Sequence, residues 1–342
     1  MKSNNLKVCL YLQNPAFYRG SGIGQALNHQ KKALELNNID YTLDPNDSDY
    51  QILHINSHLP GILGVIRKAR NNGKKIILHA HMTSEDFKKS FIFSNLMAPI
   101  VHWWLDILYS KADVIICPSP YTYDILKKNY KRLRDKKIIP ISNGIDINKW
   151  KYDKKGADKF KLEYNLKEPI IFSVGLIFVR KGVIDFIKIS RKMPDLSFVW
   201  IGRNLKKLIA NNELEKELKN KPENFLSTGY VNDIVGAYSS GDILFFPSHE
   251  ENEGITVLEA AAMGKAIVVR DIPVFNSYMK NGVHCLMGKT NEEFMEKINL
   301  LLKDKKLREK LSKNARKLAK SKSLKIIGSQ LKEVYLDILK DA

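Results

Sequence analysis

Cysteine is scarce: Cys9, Cys117 and Cys285 stand far apart in 342 residues. An odd, scattered set of three makes neither a disulfide framework nor a zinc cluster, and it fits a reducing compartment. No apolar run reaches about 18 residues, so a membrane-spanning helix of ordinary length is not expected. Met1 to Asn5 lead into a strand pattern without the apolar core of a signal peptide, which predicts a cytoplasmic address. Acid is outnumbered by base, with 37 Asp and Glu against 56 Lys and Arg, a formal net charge of +19. The excess is densest at Lys127–Lys137 and Lys303–Lys325. Such runs attract nucleic acid or an anionic membrane leaflet, or are solvated helix faces in a lysine-rich chain.

Strand and helix patterns alternate along almost the whole chain, the mark of parallel α/β architecture. Strands are expected at Lys7–Leu12, Tyr50–Ile55, Lys75–Leu78, Asp113–Cys117 and Lys137–Ile141. A second series is expected at Pro169–Val174, Leu196–Ile201, Asn224–Leu226, Ile243–Phe246 and Ala266–Val269. Helices read at Gly24–Leu36, Gly61–Asn71, Tyr121–Lys128, Glu292–Lys303, Lys306–Lys320 and Leu324–Leu339. The charged stretch Asp146–Lys167 reads as a linker and the approach to a second domain. The chain length allows two domains. The expected organisation is two doubly wound Rossmann-like domains, residues 1–147 and 148–323, facing a central cleft. A last helix at about 324–342 is expected to pack back on the first domain. In such folds ligands bind at the carboxyl ends of the strands.

The segment Pro247-Ser248-His249-Glu250-Glu251-Asn252-Glu253-Gly254-Ile255-Thr256-Val257-Leu258-Glu259 carries the most chemistry. Gly254 opens an apolar helix whose free N–H groups and dipole suit a phosphate, with Asn252, Gly254 and Ile255 at its start. Glu251 and Glu259 flank that start. Carboxylates are poor phosphate ligands but accept hydrogen bonds from sugar hydroxyls, so a nucleotide sugar fits better than a nucleoside triphosphate. Arg180-Lys181-Gly182 follows the second domain's first strand and can neutralise a leaving diphosphate without a metal. The same pattern also serves as a capped helix start with solvated charges. Gly20-Ser21-Gly22-Ile23-Gly24, preceded by Arg19, is either a second phosphate loop or a structural turn, since Gln25 breaks the dinucleotide fingerprint. His81 follows a strand and can reach a sugar hydroxyl; His54, His58 and His79 are equally placed on geometry alone. Asp47-Ser48-Asp49 lies before a strand rather than after one, so no metal is expected there.

Together these pieces resemble the family 4 retaining glycosyltransferases of GT-B fold over nearly the whole chain. Glu251 and Glu259 match the family's Glu-x7-Glu motif, Ser142-Asn143-Gly144-Ile145-Asp146 its interdomain linker, and Val174-Gly175 with Lys181-Gly182 its second-domain opening. Leu176 departs where many members carry Arg, and Glu253 departs where an aromatic residue is common. Ser173-Val174-Gly175-Leu176 with Arg180-Lys181-Gly182, and His81 followed by Glu85-Asp86-Phe87, further resemble bacterial diacylglycerol glycosyltransferases. The resemblance implies Glu259 on the nucleotide ribose, Glu251 and His81 at the donor sugar, Gly22 at the diphosphate, and Lys181 with Arg180 at the leaving phosphates.

Residues 87–111 mix aromatics with lysines, from Phe87-Lys88-Lys89-Ser90-Phe91 to Trp103-Trp104-Leu105. That mixture suits a bilayer interface, or else a tryptophan pair packed under the first domain. The expected protein is a cytoplasmic enzyme, peripheral on the inner face of the membrane. It moves glucose or galactose from UDP-glucose or UDP-galactose to a glycolipid such as monoglucosyl-diacylglycerol, with retention and without cofactor or metal. A polysaccharide or lipid-linked oligosaccharide acceptor is the alternative, followed by a UDP-sugar epimerase. A nucleic-acid partner is not expected, because it leaves Glu251 and Glu259 without a task.

Overall fold

The computed structural model describes residues 6–18, 20–88, 93–204 and 211–340. Arg19, Lys89, Ser90 and Phe91, named above, lie outside the described residues, as do Met1 to Asn5 and the last two positions. The chain divides into two compact units. One comprises Met1–Ser84, Met97–Asp146 and Lys322–Ala342; the other comprises Glu85–Leu96 and Ile147–Ser321.

The first unit holds one six-stranded parallel sheet: β1 (Lys7–Tyr11), β2 (Asp40–Thr42), β3 (Ile52–Ile55), β4 (Lys75–His79), β5 (Val114–Cys117) and β6 (Lys137–Pro140), in the order β2-β1-β3-β4-β5-β6. The central strands are covered on both faces, so β1, β4 and β5 carry apolar runs rather than an alternation. Cys9, Leu53, Ile76, Leu78 and Ile115 join one buried cluster. Val8, Leu10, Ile52, Ile77 and Ile116 point the other way into a second. Helix Leu324–Lys340 completes that second cluster through Ile327, Leu331, Tyr335 and Ile338. Each such side chain contributes roughly 1.5–3 kcal/mol on burial.

The second unit holds another six-stranded parallel sheet: β7 (Ile170–Val174), β8 (Ser197–Ile201), β9 (Phe225–Gly229), β10 (Ile243–Phe246), β11 (Ala266–Arg270) and β12 (Leu286–Gly288), in the order β12-β11-β10-β7-β8-β9. Phe186 centres its core, with Phe198, Trp200 and Phe245 at ring-centroid separations of 5.3, 5.2 and 5.5 Å.

Three expectations need correction. Asp146–Lys167 is not all linker: Lys154–Glu163 is a helix capped by Asp153, and it buries Ala157 and Phe160. Strands β2 and β12, each three residues long, were not expected. The region around Trp103 and Trp104 is a helix, Ser94–Ser110, and the two rings part company on it. Trp104 turns inward and donates its Nε1–H to the His58 carbonyl at 2.7 Å, whereas Trp103 is 57% exposed.

Candidate active site

The strand order of the second sheet reverses between β7 and β10, and a crevice opens at the carboxyl ends of strands at such a switch point. The loops leaving these two strands carry Arg180-Lys181 and Pro247–Gly254. Gly182 joins the loops. Its φ is +78°, and a Cβ there would lie 2.2 Å from the Pro247 carbonyl oxygen, so only glycine permits the approach. The His249 N–H donates to the Arg180 carbonyl at 2.8 Å. Arg270, at the end of β11, donates to the Pro247 carbonyl at 3.0 Å and pairs with Asp185 at 2.6 Å.

Glu251 sits at the centre of this arrangement, 7% exposed. Its Oε1 accepts from Lys181 Nζ at 2.5 Å and from Ser248 Oγ at 2.7 Å, with Arg180 Nη1 at 3.9 Å. Burial opposes the carboxylate charge, but Lys181, Arg180 and Ser248 outweigh it and hold the carboxyl below its ordinary range. Burial also pulls the Lys181 ammonium down, with Glu251 opposing. Arg180 donates to the Glu250 carbonyl at 2.6 Å. Leu176, at the position where family resemblance leads one to seek an arginine, packs against the apolar core instead.

Gly254 has φ +86° and caps helix Ile255–Met263, which ends at Gly264, also left-handed. The first N–H groups of this helix, at Ile255 and Thr256, have no acceptor within it, an arrangement that suits an anion. Glu259 lies one turn further, 4% exposed, accepting from the Tyr238 hydroxyl at 2.5 Å. Asn252 donates to Asp86 at 3.0 Å, and Asp86 also favours the Lys181 charge. Of the residues singled out in the sequence, Arg180, Lys181, Glu251, Asn252, Gly254, Ile255 and Glu259 thus belong to one unit, and the first three meet directly.

Gly22 and His81 belong to the other unit. Helix Gly22–Glu35 begins at Gly22 itself, not at Gly24, with Ser21 accepting from the Gly24 N–H. A Cβ on Gly24 would meet the Tyr18 carbonyl at 2.3 Å, so packing explains that glycine. At Gly22 a Cβ would meet no described atom within 4 Å. His81 donates through Nε2 to Asn56 Oδ1 at 2.7 Å and stacks on His79 at 4.2 Å. Gln30 holds Asn56 in a reciprocal amide pair of two 2.8 Å bonds and reaches His79 Nδ1 at 3.0 Å. His54 joins His79 at 3.3 Å and the Tyr335 hydroxyl at 2.7 Å. Burial drives these imidazoles neutral, His54 to about 3, His58 to about 4, and both His79 and His81 well below their usual value.

Ser248, Asp86, Tyr238, Asn56 and Gln30 were not singled out by sequence as site groups. Ser248 stands in the same run as Glu251 and could have been suspected. Tyr238 precedes Glu259 by 21 residues in sequence, and only the sheet topology brings them together. Among the described residues no group of three His, Cys, Asp or Glu side chains is arranged to hold a metal ion. Asp49 of the Asp47-Ser48-Asp49 loop is paired with Lys7 at 2.7 Å. No described helix is long and apolar enough to cross a membrane.

A carboxylate–cation cluster thus stands at a switch point of a parallel α/β sheet, beside a glycine-led helix start. The chain matches the family model "Glycosyltransferase Family 4" over residues 32–149 and "Glycosyl transferases group 1" over residues 154–318. It is 37% identical over 341 residues to a processive diacylglycerol alpha-glucosyltransferase of Acholeplasma laidlawii, covering 98% of this chain and 99% of that one. It is 32% identical over 224 residues to an N,N'-diacetylbacillosaminyl-diphospho-undecaprenol alpha-1,3-N-acetylgalactosaminyltransferase of Campylobacter jejuni, covering 61% of this chain and 57% of the other. The structure of Anabaena HepE in complex with UDP and glucose superposes with a TM-score of 0.77 at 16% identity, over 97% of this chain and 100% of that one. The protein belongs to the family 4 glycosyltransferases, with GT-B fold.

Proposed function

We propose that this glycosyltransferase moves a hexose from UDP-glucose or UDP-galactose to a membrane glycolipid such as monoglucosyl-diacylglycerol, with retention at the anomeric carbon. One observation carries the lipid acceptor: helix Ser94–Ser110 presents Leu96, Ile100 and Trp103 to solvent, 76%, 63% and 57% exposed, with Phe93 before them at 73%. Their spacing puts an apolar stripe on one helix face, where soluble proteins place polar side chains. Such a face suits the inner leaflet, where Lys88 and Lys89 add roughly 1 kcal/mol each near an anionic surface. The Acholeplasma laidlawii relative, named for diacylglycerol and an alpha product, supports the same acceptor class and stereochemistry.

In this reading Glu259 holds the ribose and Glu251 the donor hexose. Lys181, Arg180 and the helix start at Asn252, Gly254 and Ile255 take the diphosphate charge as the sugar–phosphate bond breaks. Gly22 contacts the diphosphate and His81, neutral by burial, a hexose hydroxyl. The acceptor hydroxyl attacks from the face the leaving group departs, and the leaving phosphate takes its proton; no protein nucleophile is involved. The cations of the protein replace a metal. Purified protein, anionic vesicles and either UDP-hexose form the test. NMR of the product should show an alpha linkage, and activity should persist in EDTA. A beta product, or activity abolished by EDTA and restored by a divalent ion, would overturn the stereochemistry or the metal-free diphosphate site respectively.

The Campylobacter jejuni relative favours a second reading, in which the acceptor is a lipid-linked oligosaccharide. Transfer to undecaprenyl-diphosphate sugars, with none to diacylglycerol lipids, would select it.

A further inference from the structure

Tyr238 lies on helix Ile234–Ser240, outside every motif that drew attention in the sequence. Its hydroxyl donates to Glu259 Oε2 at 2.5 Å, and both side chains are buried. The ring itself is fixed from two sides, by Trp150 at 4.6 Å and Phe172 at 5.2 Å between centroids. Burial, followed by the Glu259 charge, pushes the phenol well above its usual range, so it stays a donor at every working pH.

The terminal torsion of a glutamate is broad and roughly two-fold, so a carboxylate left alone has no set plane. A bond to one oxygen from an immobile donor fixes that plane. A carboxylate has about four acceptor sites, so the phenol bond does not by itself exhaust it. Filling space does not require this pair, because apolar side chains of equal volume pack a core as well or better. A tyrosine bonded to a glutamate holds an acceptor in a set direction.

We propose that Tyr238 is a positioning residue that sets the Glu259 carboxylate on the two ribose hydroxyls of the donor nucleotide, and thereby fixes the preference for ribonucleotide over deoxyribonucleotide. The inference rests on the assignment of Glu259 to the ribose. The pair acts as a unit: Glu259 makes the contact, and Tyr238 aims it.

Calorimetric titration with UDP and with 2′-deoxy-UDP tests it on wild type, Tyr238→Phe, Glu259→Gln and the double variant. Tyr238→Phe removes one oxygen and keeps the ring packing. The ratio of the two affinities is the readout, because a partly unfolded preparation lowers both titrations alike. Wild type should prefer UDP. Tyr238→Phe should lose about tenfold in UDP affinity and little in 2′-deoxy-UDP affinity, collapsing the ratio. Glu259→Gln should collapse it too, and adding Tyr238→Phe to Glu259→Gln should change nothing more. If Glu259→Gln abolishes the preference while Tyr238→Phe retains it, Tyr238 has no positioning role and the ribose assignment stands. A preference that survives Glu259→Gln overturns that assignment and the inference with it. A further loss in the double variant also overturns it, since the two residues would then act separately.

Discussion

Lys181 Nζ lies 2.5 Å from Glu251 Oε1, and the two side chains are 18% and 9% exposed. Neither charge is well solvated, so each depends on the other. Removing Lys181 leaves the buried Glu251 carboxylate to Ser248 and to Arg180 at 3.9 Å, and breaking a buried pair in this way costs up to about 3–5 kcal/mol. Lys181→Ala should therefore lower the melting temperature measurably, and it should reduce kcat by about a hundred- to a thousandfold through loss of diphosphate stabilisation. A variant with wild-type melting and wild-type kcat would remove Lys181 from the account.

Glu251 gives this pair a pH signature. Its folded carboxyl is held below the ordinary 4.5, so its contribution to stability is complete above that value and is lost as pH falls through the folded value. The stability difference between wild type and Glu251→Gln, followed by denaturant midpoint, should be largest at neutral pH and shrink once the pH drops below 4.5. A difference that is constant with pH contradicts an ionised, paired Glu251.

The buried histidines predict a second acid-sensitive window. His54 is depressed from 6.5 to about 3 and His58 to about 4, so each unfolded imidazole binds a proton that the folded one refuses. The stability they confer is present above pH 6.5 and falls toward those lower values, with slope of about 1.4 kcal/mol per pH unit for each proton taken up on unfolding. Chemical denaturation at pH 7 and pH 5 should show the loss, and His54→Phe should reduce it.

Gly182→Ala places a methyl group against the Pro247 carbonyl in a left-handed backbone. It should separate the Arg180–Lys181 loop from the Glu251 loop and weaken UDP binding at least tenfold, measured by calorimetry. Binding within twofold of wild type would show that the two loops do not need this contact.

The apolar face of helix Ser94–Ser110 can be tested without touching the core. Ile100→Asp with Trp103→Ser alters two side chains that are more than half exposed. The double variant should melt like wild type but sediment less with anionic vesicles, and Lys88→Gln with Lys89→Gln should act in the same direction. Undiminished sedimentation of both variants places membrane docking elsewhere.

The parallel sheets were legible because strands covered on both faces, such as Val114–Cys117 and Ile243–Phe246, are unbroken apolar runs. The edge strands Asp40–Thr42 and Leu286–Gly288 are too short to make a run, so they left no signal. Helix Lys154–Glu163 has charged residues at every exposed position except Leu162, and it read as linker and approach because only Gly156, Ala157 and Phe160 mark its inner face. At the site, Glu251, Gly254 and Glu259 share one local spacing and could be read as a unit. The Lys181–Glu251 bond spans 70 residues, and no periodicity encodes it. Trp103 and Trp104 are adjacent in sequence, yet one faces solvent and the other donates to the His58 carbonyl. Helical geometry separates neighbours by about 100°, and only packing decides which of them is buried.

The most direct test is transfer of radiolabelled sugar into lipid. Purified protein receives UDP-glucose or UDP-galactose with anionic vesicles, with and without monoglucosyl-diacylglycerol. Label from one of the two donors in a glycosyl-diacylglycerol product is the predicted result. No label in lipid from either donor, with UDP binding intact, would contradict the glycolipid acceptor.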